Sequence, residues 1–490
     1  MSISRDVIVN ALRDAGLLAG TRGHVPDTFP ALTDDSRHVE PRGLFVAVRG
    51  SAQDGHDFLD AARAGGAAAA LVEDATRTDL PMLVVNAGQT RQAAAVAAAA
   101  AYGWPARALR LAAVTGTNGK STTVHMLRHL LDQPAGSAAS IGTLGIRVGS
   151  QGAPLEGGSG LTTPGPVELQ RVFRALADAG VRTVAMEMSS HALDQHRAEG
   201  VRFDAGVFTN LTRDHLDYHG TMARYFAAKA LLAKQIADAG AQVVNADDEA
   251  WAKLPDRGRR VRFSVEGRDA EVWVSGAELH AKGSDFVLHA GGEEHDVTLP
   301  LLGGFNISNA LAAAAAAWAM GRAPADIAAR LATMPQVPGR MERLFNDPAV
   351  LRDYAHTPDS LTRALAALRP FAAGRLICVF GAGGDRDRGK RPLMGAAAAQ
   401  GADVVIVTSD NPRTEPPDQI IDDIVAGIER TDYIREVDRR AAIAHALRIA
   451  KPGDVVLLAG KGHETYQVVG TTRHPFDERA IVRALLETRA

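Results

Sequence analysis

The stretch "AAVTGTNGKSTTVHML", residues 112–127, decides how the chain is read. An apolar run, "LRLAAVTG", leads into Gly116, Thr117, Asn118, Gly119, Lys120, Ser121 and Thr122. Val124, Leu127, Leu130 and Leu131 then recur at helical spacing. A strand, a glycine-rich turn and a helix start place backbone N–H groups around an anion. Lys120 is then placed to reach the outer phosphates of a nucleotide, and the Ser121 hydroxyl to hold a magnesium ion. The full P-loop pattern asks for a glycine where Val114 stands, so this loop is a shortened form. A glycine turn capping an ordinary helix is the plainer reading, but the strand before and the helix after favour a phosphate grip. A P-loop names a nucleotide and leaves the reaction open.

Composition bounds the answer. A chain of 490 residues is too long for one core, so several domains are expected. A hydrophobic content of 46% suits globular domains rather than disorder. The formal net charge of −3 gives no general pull toward nucleic acid or an anionic membrane. The single cysteine, Cys378, excludes an internal disulfide and a cysteine-rich zinc site, and fits a reducing cytoplasm. The first residues, "MSISRDVIVNALRDAG", are charged and read as helix, so no signal peptide is expected. The runs "AAAVAAAAAY" and "ALAAAAAAWAM" are bounded by glycine and charge. They read as closely packed helices, not as a membrane span. No assembly segment stands out, and a monomer is expected.

Three blocks follow along the chain: 1–105, 106–338 and 339–490. The first holds short strand-like runs such as "GLFVAV" between alanine-rich helices. "YGWPARALR", 102–110, reads as a linker because Pro105 interrupts helix. The second alternates strands ("VRTVAMEMSS", "DAGVFTNL", "AQVVNADD") with helices ("GPVELQRVFRALADAG", "ARYFAAKALLAKQIADAG"). That alternation predicts an α/β fold with a mostly parallel central sheet. Residues 258–300 show β-type alternation and predict an antiparallel extension. "MPQVPGRMERL", 334–344, reads as the second linker. Beyond it, "GRLICVFGAGGDRD", "ADVVIVTSDNPR" and "GDVVLLAGKGHE" are apolar strands ending in polar, glycine-containing loops. Open α/β sheets bind ligands outside the carboxyl ends of their strands, so these loops are expected to share one edge of a Rossmann-like domain.

Several residues stand where chemistry is expected. Glu187 ends a strand and is either a second magnesium ligand or a surface acid. "TNLTRDHLDYHG", 209–220, carries Asp214, His215, Asp217 and His219 after a buried strand, a set suited to a divalent ion. Lys229 lies on an apolar helical face in "YFAAKALLAK". A buried, unpaired lysine is costly, so either it snorkels to water or its charge is altered. "DYAHTPDS", 353–360, and "GGDRDRGKRP", 383–392, place His, Arg and Asp in loops. In "SDNPRTE", Pro412 stiffens the turn between Asn411 and Arg413. Asp410 and Arg413 together can read an amine and a carboxylate, which is to say an amino acid.

With "TGTNGKST", the motifs "TTP", "MEMSSHALDQHR", "FTNLTRDHLDYHG", "YAHTPD", "GGDRDRGKRP", "DNPR" and "GKGHE" occur in this order. The chain thereby resembles the Mur ligases, ATP-dependent amide-forming enzymes of bacterial cell-wall precursor synthesis, over essentially its whole length. The resemblance implies three domains: one binding a UDP-sugar end, a central ATPase and a Rossmann-like domain that brings an amino acid. It implies that Ser36 and the segment Ser51, Ala52 and Gln53 touch the uridine nucleotide. Thr162, Thr163, Ser189, Gln195 and Arg197 would hold the muramoyl-dipeptide and its diphosphate. Asn306, Arg340 and His356 would lie against ATP, with Gly116 to Thr122 around its phosphates. Glu187 and His215 would be magnesium ligands beside Ser121, and Lys229 matches a lysine carbamylated by carbon dioxide. Arg386, Asp410, Asn411, Pro412, Arg413, Gly460 and Glu464 match the amino-acid pocket.

The "DNPR" form is similar to the branch that adds meso-diaminopimelate to UDP-N-acetylmuramoyl-L-alanyl-D-glutamate. Lysine-adding relatives usually carry another residue where Arg413 stands. A guanidinium can grip the far carboxylate of diaminopimelate at two points, and left without it would penalise lysine. Ser121 replaces the commoner threonine, and Asp34 precedes "DSR" where some relatives have an apolar residue. The implied reaction transfers the ATP γ-phosphoryl to the D-glutamate γ-carboxylate, because a free carboxylate has too poor a leaving group for amide formation. Competing readings are a same-fold ligase adding lysine or glutamate, a P-loop ATPase or kinase without ligation, and a non-catalytic nucleotide-binding module. The "DNPR" and "SSHALDQHR" segments argue against the first, the third block's loops against the second, and Lys120, Glu187, His215 and Lys229 against the last.

Overall fold

The computed structural model describes residues 2–50, 53–157, 160–267 and 269–487. Ser51 and Ala52, named above for the uridine end, lie outside the described residues. The chain falls into two units, Met1–Trp273 with Leu311–Ile327, and Val274–Ala310 with Ala328–Ala490.

The first unit holds two larger sheets and a two-stranded one, Ile3–Ser4 with Thr28–Phe29. Its N-terminal sheet runs in the order Leu18–Arg22, Met82–Val85, Ala69–Val72, Leu44–Val46, Leu32–Thr33. All neighbours pair parallel except the first two. Helix Arg5–Asp14 buries Ile8, Val9 and Leu12, which share one face at helical spacing. Beside it, Thr90–Ala101 buries its alanine run almost completely, since small side chains let the helix lie close to its neighbours.

The central sheet is built around the strand Arg110–Thr115. It pairs parallel with Thr183–Glu187 on one side and Phe203–Phe208 on the other. Register sets Glu187 opposite Val114 and Phe208 opposite Thr115, so the three strands end together. Ala138–Gly142 and Ile236–Asn245 continue the parallel order outward. Helices Lys120–Leu131, Pro166–Asp178 and Met222–Gln235 connect these strands. Strands covered on both faces read as continuous apolar runs, which is why their sequences do not alternate.

Two expectations need correction. The helical reading of "ARYFAAKALLAKQIADAG" extends too far, because the helix stops at Gln235 and Ile236 opens a strand. Ile236 is fully buried opposite Phe203, and this pairing outweighs the helical period of the local sequence. The segment after 258 is not wholly antiparallel. Arg259–Ser264 adds a parallel strand beside Ile236–Asn245, while Gly283–Ala290 pairs antiparallel with Glu293–Leu299.

The second unit contains a sheet in the order Glu342–Asn346, Ala349–Asp353, Val455–Ala459, Leu376–Phe380, Val404–Val407, Ile434–Arg435. Every neighbouring pair after the first hairpin is parallel, and apolar cores cover both faces. The three strands singled out in the sequence are adjacent, so their polar loops leave one edge as a Rossmann-like sheet requires. No helix among the described residues is long and apolar enough to cross a membrane.

Candidate active site

The loop after Arg110–Thr115 is pinned by the loop after its neighbour Phe203–Phe208. Thr117 N donates to Asn210 O at 2.7 Å, and Asn118 N to Asn210 Oδ1 at 2.9 Å. Thr209 Oγ1 donates to Asn118 O at 2.7 Å, and Thr117 Oγ1 to Thr212 O at 3.0 Å. At Gly116, φ is +145°, and a Cβ there would run into Thr209 Oγ1. Only glycine allows that approach. Gly119, at φ +85°, caps the helix Lys120–Leu131, whose first turn buries Ser121 and Thr122. The shortened loop therefore keeps two glycines where the backbone needs them.

Two lysines converge on one oxygen. Lys120 Nζ donates to Gly116 O at 3.0 Å and to Thr117 O at 2.8 Å. Lys229 Nζ reaches the same Gly116 O at 2.7 Å from the helix Met222–Gln235. Lys229 is 1% exposed, and its Nζ lies 4.5 Å from the centre of the Tyr225 ring. Burial, and then the charge of Lys120, push its ammonium well below the usual lysine range, against a smaller opposing pull from Asp214. The neutral amine is thereby favoured.

Glu187 is buried at the end of its strand. Its Oε1 accepts from Thr143 N at 2.8 Å, and its Oε2 from Thr143 Oγ1 at 3.3 Å. Thr143 Oγ1 in turn lies 3.1 Å from Thr162 Oγ1. Thr163 Oγ1 donates to Glu187 O at 2.8 Å and accepts from Ser189 N at 3.1 Å. Arg197 donates to Thr163 O at 2.7 Å and to Gln195 Oε1 at 2.8 Å. Gln195 Nε2 donates to Tyr218 OH at 3.3 Å. Thus Thr162, Thr163, Ser189, Gln195 and Arg197, from separate motifs, form one connected network with Glu187.

His215 follows in a left-handed conformation, φ 52°, with Asp214 beside it. Its ring packs edge-on against His191 with centroids 4.9 Å apart, and His191 also meets Tyr218 at 4.2 Å. Loss of solvent lowers the pKa of both imidazoles, that of His191 to about 4. A neutral His215 can offer a lone pair to a cation. No group of three or more His, Cys, Asp or Glu residues among the described residues is arranged to hold a metal ion.

In the second unit, the loops after Leu376–Phe380, Val404–Val407 and Val455–Ala459 gather the residues matched to an amino-acid pocket. Asn411 Nδ2 donates to Glu464 Oε2 at 2.8 Å. Arg413, at φ 52°, donates through Nη1 to Gly384 O at 2.7 Å and through its backbone N to Val468 O at 3.1 Å. A Cβ on Gly460 would meet Asp410 Oδ2 at 2.5 Å. Pro412 stands between Asn411 and Arg413, and Arg386 Nη1 donates to Asp385 O at 3.0 Å in the facing loop. Asn306 is buried and donates to Leu302 O at 2.7 Å. The Arg340 guanidinium lies 4.6 Å from the centre of the Tyr354 ring, and His356 Nδ1 is 2.8 Å from Tyr354 O. In the first unit, Ser36 opens a short helix capped by Asp35, and Gln53 O accepts from Gly50 N at 2.9 Å.

Some partners escaped the sequence reading. Thr143 holds Glu187, yet "IGTLG" carries no motif. Tyr225 covers Lys229, and helical spacing four residues apart was a usable signal. Arg391, fully buried, grips Glu415 through two nitrogens at 3.0 and 2.8 Å and so ties the "GGDRD" loop to the "DNPRTE" loop.

Three family models match the chain: the Mur ligase family catalytic domain over residues 30–115, the Mur ligase middle domain over 114–317, and the Mur ligase glutamate ligase domain over 339–462. The UDP-N-acetylmuramoyl-L-alanyl-D-glutamate--2,6-diaminopimelate ligase of Synechococcus elongatus is 45% identical, over 94% of this chain and 94% of its own. A relative of the same name from Gloeobacter violaceus is 44% identical, over 98% and 99% of the two chains. A solved structure of a protein with that name is 33% identical and superposes with a TM-score of 0.68, covering 100% of this chain and 99% of its own. By sequence and by fold, the chain belongs to the Mur ligase family of ATP-dependent amino-acid ligases.

Proposed function

We propose that this chain joins meso-diaminopimelate to the D-glutamate γ-carboxylate of UDP-N-acetylmuramoyl-L-alanyl-D-glutamate, using ATP, in cell-wall precursor synthesis. The observation that carries the reading is the convergence of Lys120 and Lys229 on Gly116 O beside the strand-end Glu187. A reaction that brings a phosphoryl group to a carboxylate must bring two anions together, and the Lys120 ammonium at the P-loop offsets that repulsion. The relatives' printed names, and Arg413 in "DNPR", support the substrates.

Lys120 neutralises charge on the γ-phosphoryl as it moves to the γ-carboxylate, giving an acyl phosphate and ADP. The network of Thr162, Thr163, Ser189, Gln195 and Arg197 orients the dipeptide so that its carboxylate meets the phosphorus in line. The amine of diaminopimelate then attacks the acyl carbon, and phosphate leaves with the C–O bond. Arg386, Asp410, Asn411, Arg413 and Glu464, with the Pro412 turn and the Gly460 backbone, hold the amino acid. Asp410 and Glu464 suit its ammonium groups, and the two guanidiniums suit its carboxylates. Gly116 to Thr122, Asn306, Arg340 and His356 are assigned to ATP, and Ser36 with residues 51–53 to the uridine end.

Lys229 is read as the lysine that carries a carbamate. A neutral amine adds to carbon dioxide and loses a proton, leaving an anion at that buried position. Ser121, Glu187, His215 and a Lys229 carbamate would be the groups to hold magnesium: a hydroxyl, two anionic groups and an imidazole kept neutral by its surroundings. Magnesium bound by these groups would supply positive charge to the phosphoryl transfer.

The reading keeps a cytoplasmic location, a monomeric state and domain limits at 1–105, 106–338 and 339–490, which fractionation, sedimentation and limited proteolysis test in turn. The central test is phosphate release with ATP, magnesium and the UDP-dipeptide, adding either meso-diaminopimelate or L-lysine. Release that requires diaminopimelate, with a tripeptide product by mass, is the expected result. Release with lysine alone overturns the substrate, and release with neither points to an ATPase.

A further inference from the structure

Lys461 has no part in the steps above, yet it is fully buried, at 0% exposure. Its Nζ donates to Asn411 Oδ1 at 3.1 Å, to Glu464 Oε2 at 3.3 Å and to Asp410 Oδ1 at 3.5 Å. An ammonium removed from water is costly unless acceptors replace its hydration. Here all three acceptors belong to residues assigned to the amino-acid pocket. Asn411 Oδ1 also accepts from Val468 N at 2.9 Å while its Nδ2 donates to Glu464, so the amide has one orientation. Gln467 Nε2 donates to Asp410 O at 2.7 Å, fixing the backbone that carries the carboxylate. Lys461 therefore stands behind the pocket and binds one oxygen of each of its two carboxylates.

We propose that Lys461 is a positioning residue that builds the ammonium-reading side of the amino-acid pocket. It ties Asp410, Asn411 and Glu464 into one rigid set of acceptors. It also cancels one of two negative charges that would otherwise repel each other at short range. The lysine touches no substrate and acts through its three neighbours. This inference rests on the amino-acid pocket proposed above.

The test compares steady-state kinetics of the full-length wild type with Lys461→Met, varying each substrate separately. The KM for diaminopimelate is expected to rise roughly 10- to 100-fold, the worth of hydrogen bonds to charged groups. At saturating diaminopimelate, kcat stays within about threefold, and the KM values for ATP and the UDP-dipeptide do not move. Lys461→Arg restores most of the loss because it keeps the charge. Lys461→Gln, which keeps donors without charge, gives an intermediate KM and decides the matter if Lys461→Met does not fold. An unchanged KM for diaminopimelate in a folded variant overturns the inference. So does a rise in all three KM values together, or an arginine variant no better than methionine. Failure of the wild type itself to make product with diaminopimelate is a different result, because it removes the functional reading on which the inference stands.

Discussion

Two buried lysines in this protein meet opposite surroundings. Lys229 shares the Gly116 carbonyl with Lys120 and faces the Tyr225 ring, and no carboxylate among the described residues lies within ion-pair distance of it. Lys461 has Asp410, Glu464 and an amide oxygen around it. The first site sets one ammonium, Lys120, beside an amine that burial drives toward its neutral form, with no counter-charge from the chain. The second carries its own counter-charges and suits a ligand that is itself zwitterionic. One chain thus buries the same side chain once without a counter-charge and once as the balance to two carboxylates.

The largest effect expected from breaking this contrast is at Lys229. Lys229→Met should lower kcat about 10²- to 10³-fold while raising unfolding stability by about 1–3 kcal/mol, because a buried polar amine with no carboxylate partner is replaced by an apolar chain. The pH dependence follows. With its folded pKa below the unfolded value of 10.5, Lys229 makes the wild type more stable as pH rises toward that value. The methionine variant should lose that slope in urea titrations. Lys461→Met should instead be less stable, since it leaves carboxylates behind. Equal signs for the two lysines would break the comparison.

Arg413→Lys should come next. Replacing a two-point grip by a point charge should raise the KM for diaminopimelate roughly 10- to 100-fold and narrow the preference over lysine. Competition between the two amino acids, read by product mass, checks it.

A smaller effect is expected at Gly142. A Cβ there would run into Glu187 Oε1, so Gly142→Ala should displace the carboxylate and cut kcat about tenfold with diaminopimelate KM unchanged. An unaltered magnesium dependence of that variant would dissociate Glu187 from the first site.

The smallest concerns His191, whose pKa is lowered to about 4, chiefly by burial and then by its histidine neighbours. Since the unfolded imidazole titrates near 6.5, the folded state loses stability as pH falls from there toward 4. His191→Asn should flatten that decline, measured as urea midpoints at pH 7 and pH 5.

Much of this is legible in the sequence alone. The strand, turn and helix around Lys120 follow from an apolar run, two glycines and a 3.6-residue period, all of them local signals. The loops carrying Asp410 and Arg413 were legible because polar residues at strand ends have a fixed place in open α/β sheets. Where the reading failed, at Ile236 and in the strand Arg259–Ser264, local period and sheet pairing disagreed and pairing won.

The sequence by itself determined the fold class, the phosphate loop, the family and the set of side chains available for chemistry. These rest on periodicity, turn residues and motif order, which neighbouring residues encode together. Only the tertiary structure decided that Lys120 and Lys229 meet at one carbonyl, that Thr143 holds Glu187 and that Lys461 is buried behind the amino-acid pocket. Such meetings depend on the register of parallel strands and on how completely water is removed. Both are properties of the packed sheet and its covering helices, and no stretch of sequence contains them alone.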